Sequence, residues 1–407
     1  MGADARAERV AAIQAALAEA GLDGWLFADF RGSDRIASTV LLLPGGTQTR
    51  RWYYFVPAAG RGAPRKLVHA IEPRRLEALP GETRIYASWQ QLHAGLRELL
   101  AGARRVAMQY SPMNAIPYVA RVDAGTVELV RSFGVEVVSS ADLVQRFEAV
   151  WSAEEAASHR VAAEGCRATI DAAFAEVRRA IAAGRRLDEY GLQQFILAEF
   201  ARRGLVTDHP PIVAVGPHSA DPHYCPGPEG SAEIRPGDVL QLDIWARQAG
   251  ERTVYADISW TAAVAREPSA EHVALFELVR RARDAAIALV AERVAAGRPV
   301  RGCEVDDAAR AVIAAAGYGE RFLHRTGHSI GRQVHGNGAN LDNWETRDER
   351  QLLPGTGFSV EPGIYLEGRF GVRSEVNVYL EPAGADRPPR VVVTGQPVQT
   401  AVVALLA

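Results

Sequence analysis

The stretch VLQLDIWARQAGERTVYADISWTAAV, residues 239–264, reads as two apolar strands joined by a turn around Gly250. Each strand carries one aspartate, Asp243 and Asp257, among β-branched and aromatic neighbours. A carboxylate inside an apolar strand is costly unless a cation pairs with it. Three more ligand-type residues follow in similar settings: His328 in Thr326-Gly327-His328-Ser329-Ile330, Glu361 in Val360-Glu361-Pro362-Gly363, and Glu375 in Ser374-Glu375-Val376. Their flanks belong to strands and tight turns rather than to a solvated helix face. Four carboxylates set against two divalent cations leave a net charge near zero. The pattern predicts a two-metal site built from Asp243, Asp257, His328, Glu361 and Glu375.

Side chains on one face of neighbouring antiparallel strands sit about 4.5–5.5 Å apart at Cβ. That spacing lets Asp243 and Asp257 serve two ions separated by roughly 3.5–4 Å. Taken singly, each residue has a plainer role. Either aspartate would suit a strand edge or a turn, and Arg373 with Glu375 would suit one solvated strand face. The recurrence of the pattern favours a shared site.

The histidines divide by spacing. His324 and His328 are four apart, but no glutamate follows His324, and Gly327 and Gly331 weaken any helix, which excludes a zincin arrangement. His335 lies seven residues after His328 in an extended run, so the two point to opposite faces unless a turn intervenes. One metal-ligating and one substrate-facing histidine is the expected division.

Outward from the site, the chain repeats an order. Ser152-Ala153-Glu154-Glu155 matches a capping box. It opens a helix to about 183, followed by a second helix over 187–203 and strand-like runs at 211–216, 238–246 and 254–264. Ser269 caps another long helix to about 296, a further helix covers 304–315, and strand-like runs return at 321–335, 357–366, 372–380 and 390–393. Two passes of helix, helix and strands predict an internal duplication with the ligands at the interface of the halves. Before 151, strand-like runs at 24–28, 51–56, 66–70, 105–109 and 127–138 alternate with helical patches at 6–20 and 90–101, the pattern of an α/β domain. The expected division is a first domain over 1–150 and a catalytic domain over 151–407.

The 407 residues are long for a single core, and 48% hydrophobic with 23% charged residues is ordinary for a globular protein. A net charge of −3 gives no reason to expect a nucleic-acid or membrane-surface partner. Cys166, Cys225 and Cys303 are far apart without metal-ligand spacing, which suits a reducing compartment. The first twenty residues lack a signal-peptide core, and no run approaches the ~18 apolar residues of a membrane span, so a cytoplasmic protein is expected.

These motifs resemble those of the pita-bread metallopeptidases, which include methionine aminopeptidase, aminopeptidase P and prolidase. The matching stretches are Pro211–Gly216 with His223-Tyr224, Leu242-Asp243, Tyr255–Ser259, His324–His328, His335-Gly336, Val360–Gly363 and Arg373–Glu375. The resemblance implies a pita-bread catalytic domain, a duplicated αα-β unit, after a creatinase-type N-terminal α/β domain. It implies that Asp243 chelates one metal, that Asp257 and Glu375 bridge both, and that His328 and Glu361 complete the other. Glu361 would carry a proton to the leaving nitrogen, and His223 and His335 would bind substrate. The hard donor set suits manganese, with cobalt or zinc as alternatives.

Departures are visible. The aspartates are fourteen residues apart, a slightly long hairpin; Ser259 and Trp260 replace a common Thr and Arg; His209 stands where several relatives carry tyrosine. The implied activity is hydrolysis of Xaa-Pro dipeptides by a homodimer. Arg347, Arg350 or Arg373 would receive the substrate carboxylate. The alternatives are an aminopeptidase P acting on longer peptides and a metal-free binding or scaffold protein of the same fold.

Overall fold

The computed structural model describes residues 3–46, 48–384 and 387–407. The chain forms two compact units, Met1–Glu148 and Ala149–Ala407. In the first, helix α1 (Ala3–Glu19), β1 (Gly24–Asp29), α2 (Arg35–Val40), β2 (Trp52–Pro57), β3 (Arg65–His69) and β4 (Glu82–Tyr86) come in turn. Helix α3 (Trp89–Leu99), β5 (Arg105–Met108), α4 (Ala124–Arg131), β6 (Glu136–Ser139) and α5 (Ala141–Val144) follow. The strands make one mixed sheet in the order β4-β3-β2-β1-β5-β6, with an apolar cluster on each face. One expectation is corrected here. Residues 127–138 are not a strand throughout: α4 buries Val127 and Val130, which are three apart, and Asp123 caps it by accepting from the Thr126 amide at 2.9 Å. The valines keep a helical spacing, and that outweighs their β preference.

In the second unit, α6 (Ala153–Ala182) starts on the expected capping box, with Ser152 and Glu155 each accepting the other's backbone N–H. Then come α7 (Glu189–Arg202), β7 (Leu205–Val206), β8 (Ile212–Val215), β9 (Val239–Gln248) and β10 (Ala256–Ala263). The order repeats with α8 (Ala270–Ala295), α9 (Gly302–Ala315), β11 (Ser329–Ile330), β12 (Gly357–Val360), β13 (Gly363–Leu366), β14 (Phe370–Arg373), β15 (Val376–Glu381) and β16 (Arg390–Thr394). A short β17 (Val403–Ala404) joins the first set by pairing with β10. Strands β17-β10-β9-β7, with β8 also on β9, form one sheet, β11-β12-β15-β16 form a second, and β13 and β14 pair separately. Each half has its own core, one between α6, α7 and the first sheet, the other between α8, α9 and the second.

Two further expectations change. Of residues 321–335, only Ser329–Ile330 pair as a strand; the chain turns at Gly331, whose amide donates to the Gln333 carbonyl at 3.1 Å. The run expected over 372–380 breaks at Ser374-Glu375, between β14 and β15. At that break the Glu375 amide donates to the Ser259 carbonyl at 3.2 Å, so the chain crosses toward the first sheet there.

Candidate metal centre

The β9–β10 register places Asp243 opposite Ser259 and Asp257 opposite Trp245. The two aspartates therefore share a face but lie on a diagonal, not directly across. The space opposite Asp243 is filled by Ser259, whose hydroxyl lies 2.7 Å from Asp243 Oδ1 and 2.9 Å from Glu375 Oε2. A hydroxyl has one proton, so it donates to one of these carboxylates at a time. Asn377, two residues beyond Glu375, fastens β15 to β10: its Oδ1 accepts the Asp257 amide at 2.9 Å and its Nδ2 donates to the Asp257 carbonyl at 2.5 Å. That pairing brings Glu375 beside Asp257.

The second half supplies the imidazole. Gly327 passes so close to β12 that a Cβ there would lie 2.0 Å from the Ser359 carbonyl oxygen, so only glycine allows the approach. The Ser359 hydroxyl then accepts the His328 amide at 2.9 Å and donates to Glu361 Oε1 at 3.0 Å. His328 Nε2 lies 3.4 Å from both Asp257 Oδ2 and Glu361 Oε1. One ligand atom each from Asp257, His328 and Glu375 falls within 4.8 Å of the others. All five sequence-predicted ligands thus join one connected cluster.

Its electrostatics are unfinished without cations. Asp257 is 5% exposed and Glu375 1%, yet Asp257 Oδ1 and Glu375 Oε1 accept no hydrogen bond. Burial first, then the neighbouring carboxylates, raises Asp257 and Glu375 well above the ordinary range, and burial pushes Glu361 up to about 7. Burial, and then His335 and Arg325, lower His328 well below its ordinary value, which keeps the imidazole neutral as a ligand must be. Orphaned carboxylate oxygens beside a neutral imidazole fit divalent cations.

A cavity of about 450 Å³ opens over this cluster, lined by Asp243, Asp257, His328, Glu361 and Arg373 together with Asp208, His209, His223, Trp245, Gln333 and His335. A turn does intervene after His328, and it brings the His335 ring to 4.3 Å from His328, edge-on. His223 lines the same cavity from an exposed loop. His324 does not line it; its Nε2 meets the Tyr365 hydroxyl at 2.7 Å and its Nδ1 the Arg325 carbonyl at 2.7 Å.

The three arginines separate. Arg373 is buried, not on a solvated face, and four of its five N–H groups are engaged: by Asp243 Oδ2 at 2.5 Å, Ser259 Oγ at 3.0 Å, Tyr365 Oη at 3.2 Å and the Pro222 carbonyl at 3.3 Å. Arg350 is buried against both oxygens of Asp348, and Arg347 is 70% exposed beside Glu349; neither lines the cavity. Sequence reasoning did not assign Ser259, Asn377 or Tyr365. The alternation that puts Ser259 two residues past Asp257, on the same strand face, was the available signal for the first.

A model of metallopeptidase family M24 matches residues 121–382. The chain is 29% identical over 392 residues to the probable dipeptidase PepE of Mycobacterium bovis, covering 94% of each. It is 35% identical over 164 residues to the Xaa-Pro dipeptidase of Lactobacillus delbrueckii subsp. lactis, covering 40% of each. The crystal structure of dipeptidase PepE from Mycobacterium ulcerans superposes with a TM-score of 0.70 at 27% identity, over 99% of both chains.

Proposed function

The chain belongs to metallopeptidase family M24, and on that premise we propose that it hydrolyses Xaa-Pro dipeptides with bound divalent metal. The observation that carries this reading is the pair of buried, unpartnered oxygens, Asp257 Oδ1 and Glu375 Oε1, in a cluster with one neutral imidazole. Asp243, Asp257, His328, Glu361 and Glu375 would hold the metal pair, and the unanswered oxygens of Asp257 and Glu375 would be available to it. Manganese suits four hard carboxylates and an imidazole, with cobalt or zinc able to replace it. When bound, the ions acidify water and polarise the scissile carbonyl.

The remaining steps belong to side chains. Glu361, which lines the cavity, would receive a proton and pass it to the leaving proline nitrogen. His335 is held neutral by burial, at about 4, and with His223, which lines the same cavity, would donate toward the carbonyl oxygen as charge develops on it. Arg373, with four donors engaged, holds Asp243 in place; any substrate contact it makes falls to its one remaining N–H. The partner is a small peptide. The proposal extends to a homodimer, on the family resemblance, and to the cytoplasm, in keeping with three free cysteines. No described helix is long and apolar enough to cross a membrane.

A second reading, an aminopeptidase P acting on longer peptides, is favoured by one observation. Among the described residues lining the cavity, Arg373 is the only arginine, and it is largely engaged, so a dipeptide carboxylate has no dedicated guanidinium there. Manganese-supplemented assays on Gly-Pro and Gly-Pro-Xaa-Xaa separate the two. Cleavage of the dipeptide alone supports the dipeptidase, and cleavage of the tetrapeptide supports the aminopeptidase. Inactivity on both, with no stoichiometric divalent ion in the purified protein, would point to the metal-free binding role.

A further inference from the structure

The wall of the cavity that carries His335 is tied to the start of a helix that contributes nothing to the cavity lining. After β11 the chain turns at Gly331, runs through Arg332-Gln333-Val334-His335 and folds back on Ser329. The Gly336 amide donates to the Ser329 carbonyl at 2.6 Å and the Gly338 amide to the Ser329 hydroxyl at 3.1 Å. A Cβ on Gly338 would lie 2.5 Å from that hydroxyl, so the return is closed tightly. Gln333, Val334 and His335 line the cavity, whereas Arg332 does not.

Arg332 reaches the first turn of α6 instead. Its Nε and Nη2 both donate to Glu155 Oε1, at 2.9 and 2.7 Å. Glu155 Oε2 accepts the Ser152 amide at 2.8 Å, so each oxygen of the carboxylate is held, one by the helix cap and one by the loop. Burial would raise the Glu155 carboxyl, but the Ser152 amide and Arg332 hold it below its ordinary range, so it stays charged. The residue before the cap adds a second tie: Trp151 Nε1 donates to the Ile330 carbonyl at 3.1 Å. On the other side, the Tyr255 amide donates to the Gly331 carbonyl at 2.9 Å. The capping motif at residues 152–155 thus does more than begin a helix.

We propose that Arg332 and Glu155 are positioning residues that fix the 331–335 loop so that His335 meets the substrate. This rests on the substrate-facing role given to His335 above. A guanidinium fork onto a carboxylate sets direction as well as distance, and misplacing a catalytic group by about 1 Å can cost on the order of 100-fold. The pair needs no contact with substrate to act in this way.

The test is a double-mutant cycle on the manganese-loaded full chain with an Xaa-Pro dipeptide. Arg332→Ala should lower kcat by about tenfold with little change in KM and unchanged metal content, and Arg332→Lys should restore part of the loss. In a His335→Ala background, Arg332→Ala should cost nothing further. Additive losses in that background, or no loss from Arg332→Ala alone, would overturn the proposal. Glu155→Gln, whose one amide oxygen can still accept the Ser152 amide while its NH2 group faces Arg332, provides the same cycle should Arg332→Ala fold poorly. If His335→Ala itself leaves kcat unchanged with metal bound, the role given to His335 fails, and the positioning claim with it. Amide hydrogen exchange over 329–338 in metal-free protein gives a readout without turnover: Arg332→Ala should speed exchange there, and unchanged exchange would count against the tie.

Discussion

The catalytic unit buries two groups of acids, and they differ in one respect. Asp306, Asp342 and Asp348 are all 0% exposed, deeper than most of the metal cluster. Each is fully answered by donors. Asp306 accepts the Thr326 amide and hydroxyl on one oxygen and Arg310 and the Asn343 amide on the other. Asp342 organises the turn over 344–346 through three amides and the Thr346 hydroxyl. Asp348 holds Arg350 through both oxygens and the Asn340 amide. Asp257 and Glu375, by contrast, each keep an oxygen with no donor. Within this unit burial alone does not mark a site; two neighbouring buried carboxylates that each keep an unanswered oxygen do. The first group is answered within the fold, and the second is not.

The sharpest break of this contrast is Asp257→Asn. It should lower turnover by at least ~10³-fold if Asp257 is the metal ligand proposed above, while the metal-free protein melts no lower than wild type because a buried carboxyl with an unanswered oxygen has gone. Near-normal turnover would sink the assignment of Asp257. The opposite behaviour is expected of Asp348→Ala. Leaving Arg350 buried and unpaired should cost about 3–5 kcal/mol in denaturant unfolding, with no change in metal bound per folded molecule. A variant that lost metal but kept its stability would erase the distinction.

A smaller effect sharpens the same line through pH. Asp257, Glu361 and Glu375 have folded-state values raised above the unfolded ones. Their contribution to the stability of metal-free protein is therefore fully present below the ordinary carboxyl range and is lost as pH rises toward about 7, the value of Glu361, and beyond. Divalent metal removes that penalty by pairing with the ionised forms. The rise in melting temperature on adding manganese should be larger at about pH 8 than at about pH 5.5. An equal rise at both would mean that the cluster is not the metal site.

Much of the scaffold was legible in the residues. The capping box at 152–155, the cap at Ser269, the positive-φ glycines Gly184, Gly204, Gly297 and Gly317 that follow four helices, and the repeated order of two helices followed by strands are local signals, and local physics decides them. The illegible parts lay where a strand pattern met a turn or a sheet change. The run at 127–138 misled because valine fits either element; the runs at 321–335 and 372–380 misled because β-branched residues return past each break, Val334 after Gly331 and Val376 after Ser374-Glu375.

The chemistry of the candidate site divides in the same way. By itself the sequence determined which side chains are too polar for their apolar settings, because that mismatch is a property of neighbours along the chain. Only the tertiary structure decided that Asp243 and Asp257 lie diagonally, that Ser259 fills the place between Asp243 and Glu375, and that Arg373 turns to Asp243. It also decided that the turn after His328 brings His335 back beside it. Those facts depend on register and on where the chain crosses between sheets, and contacts between distant segments set both.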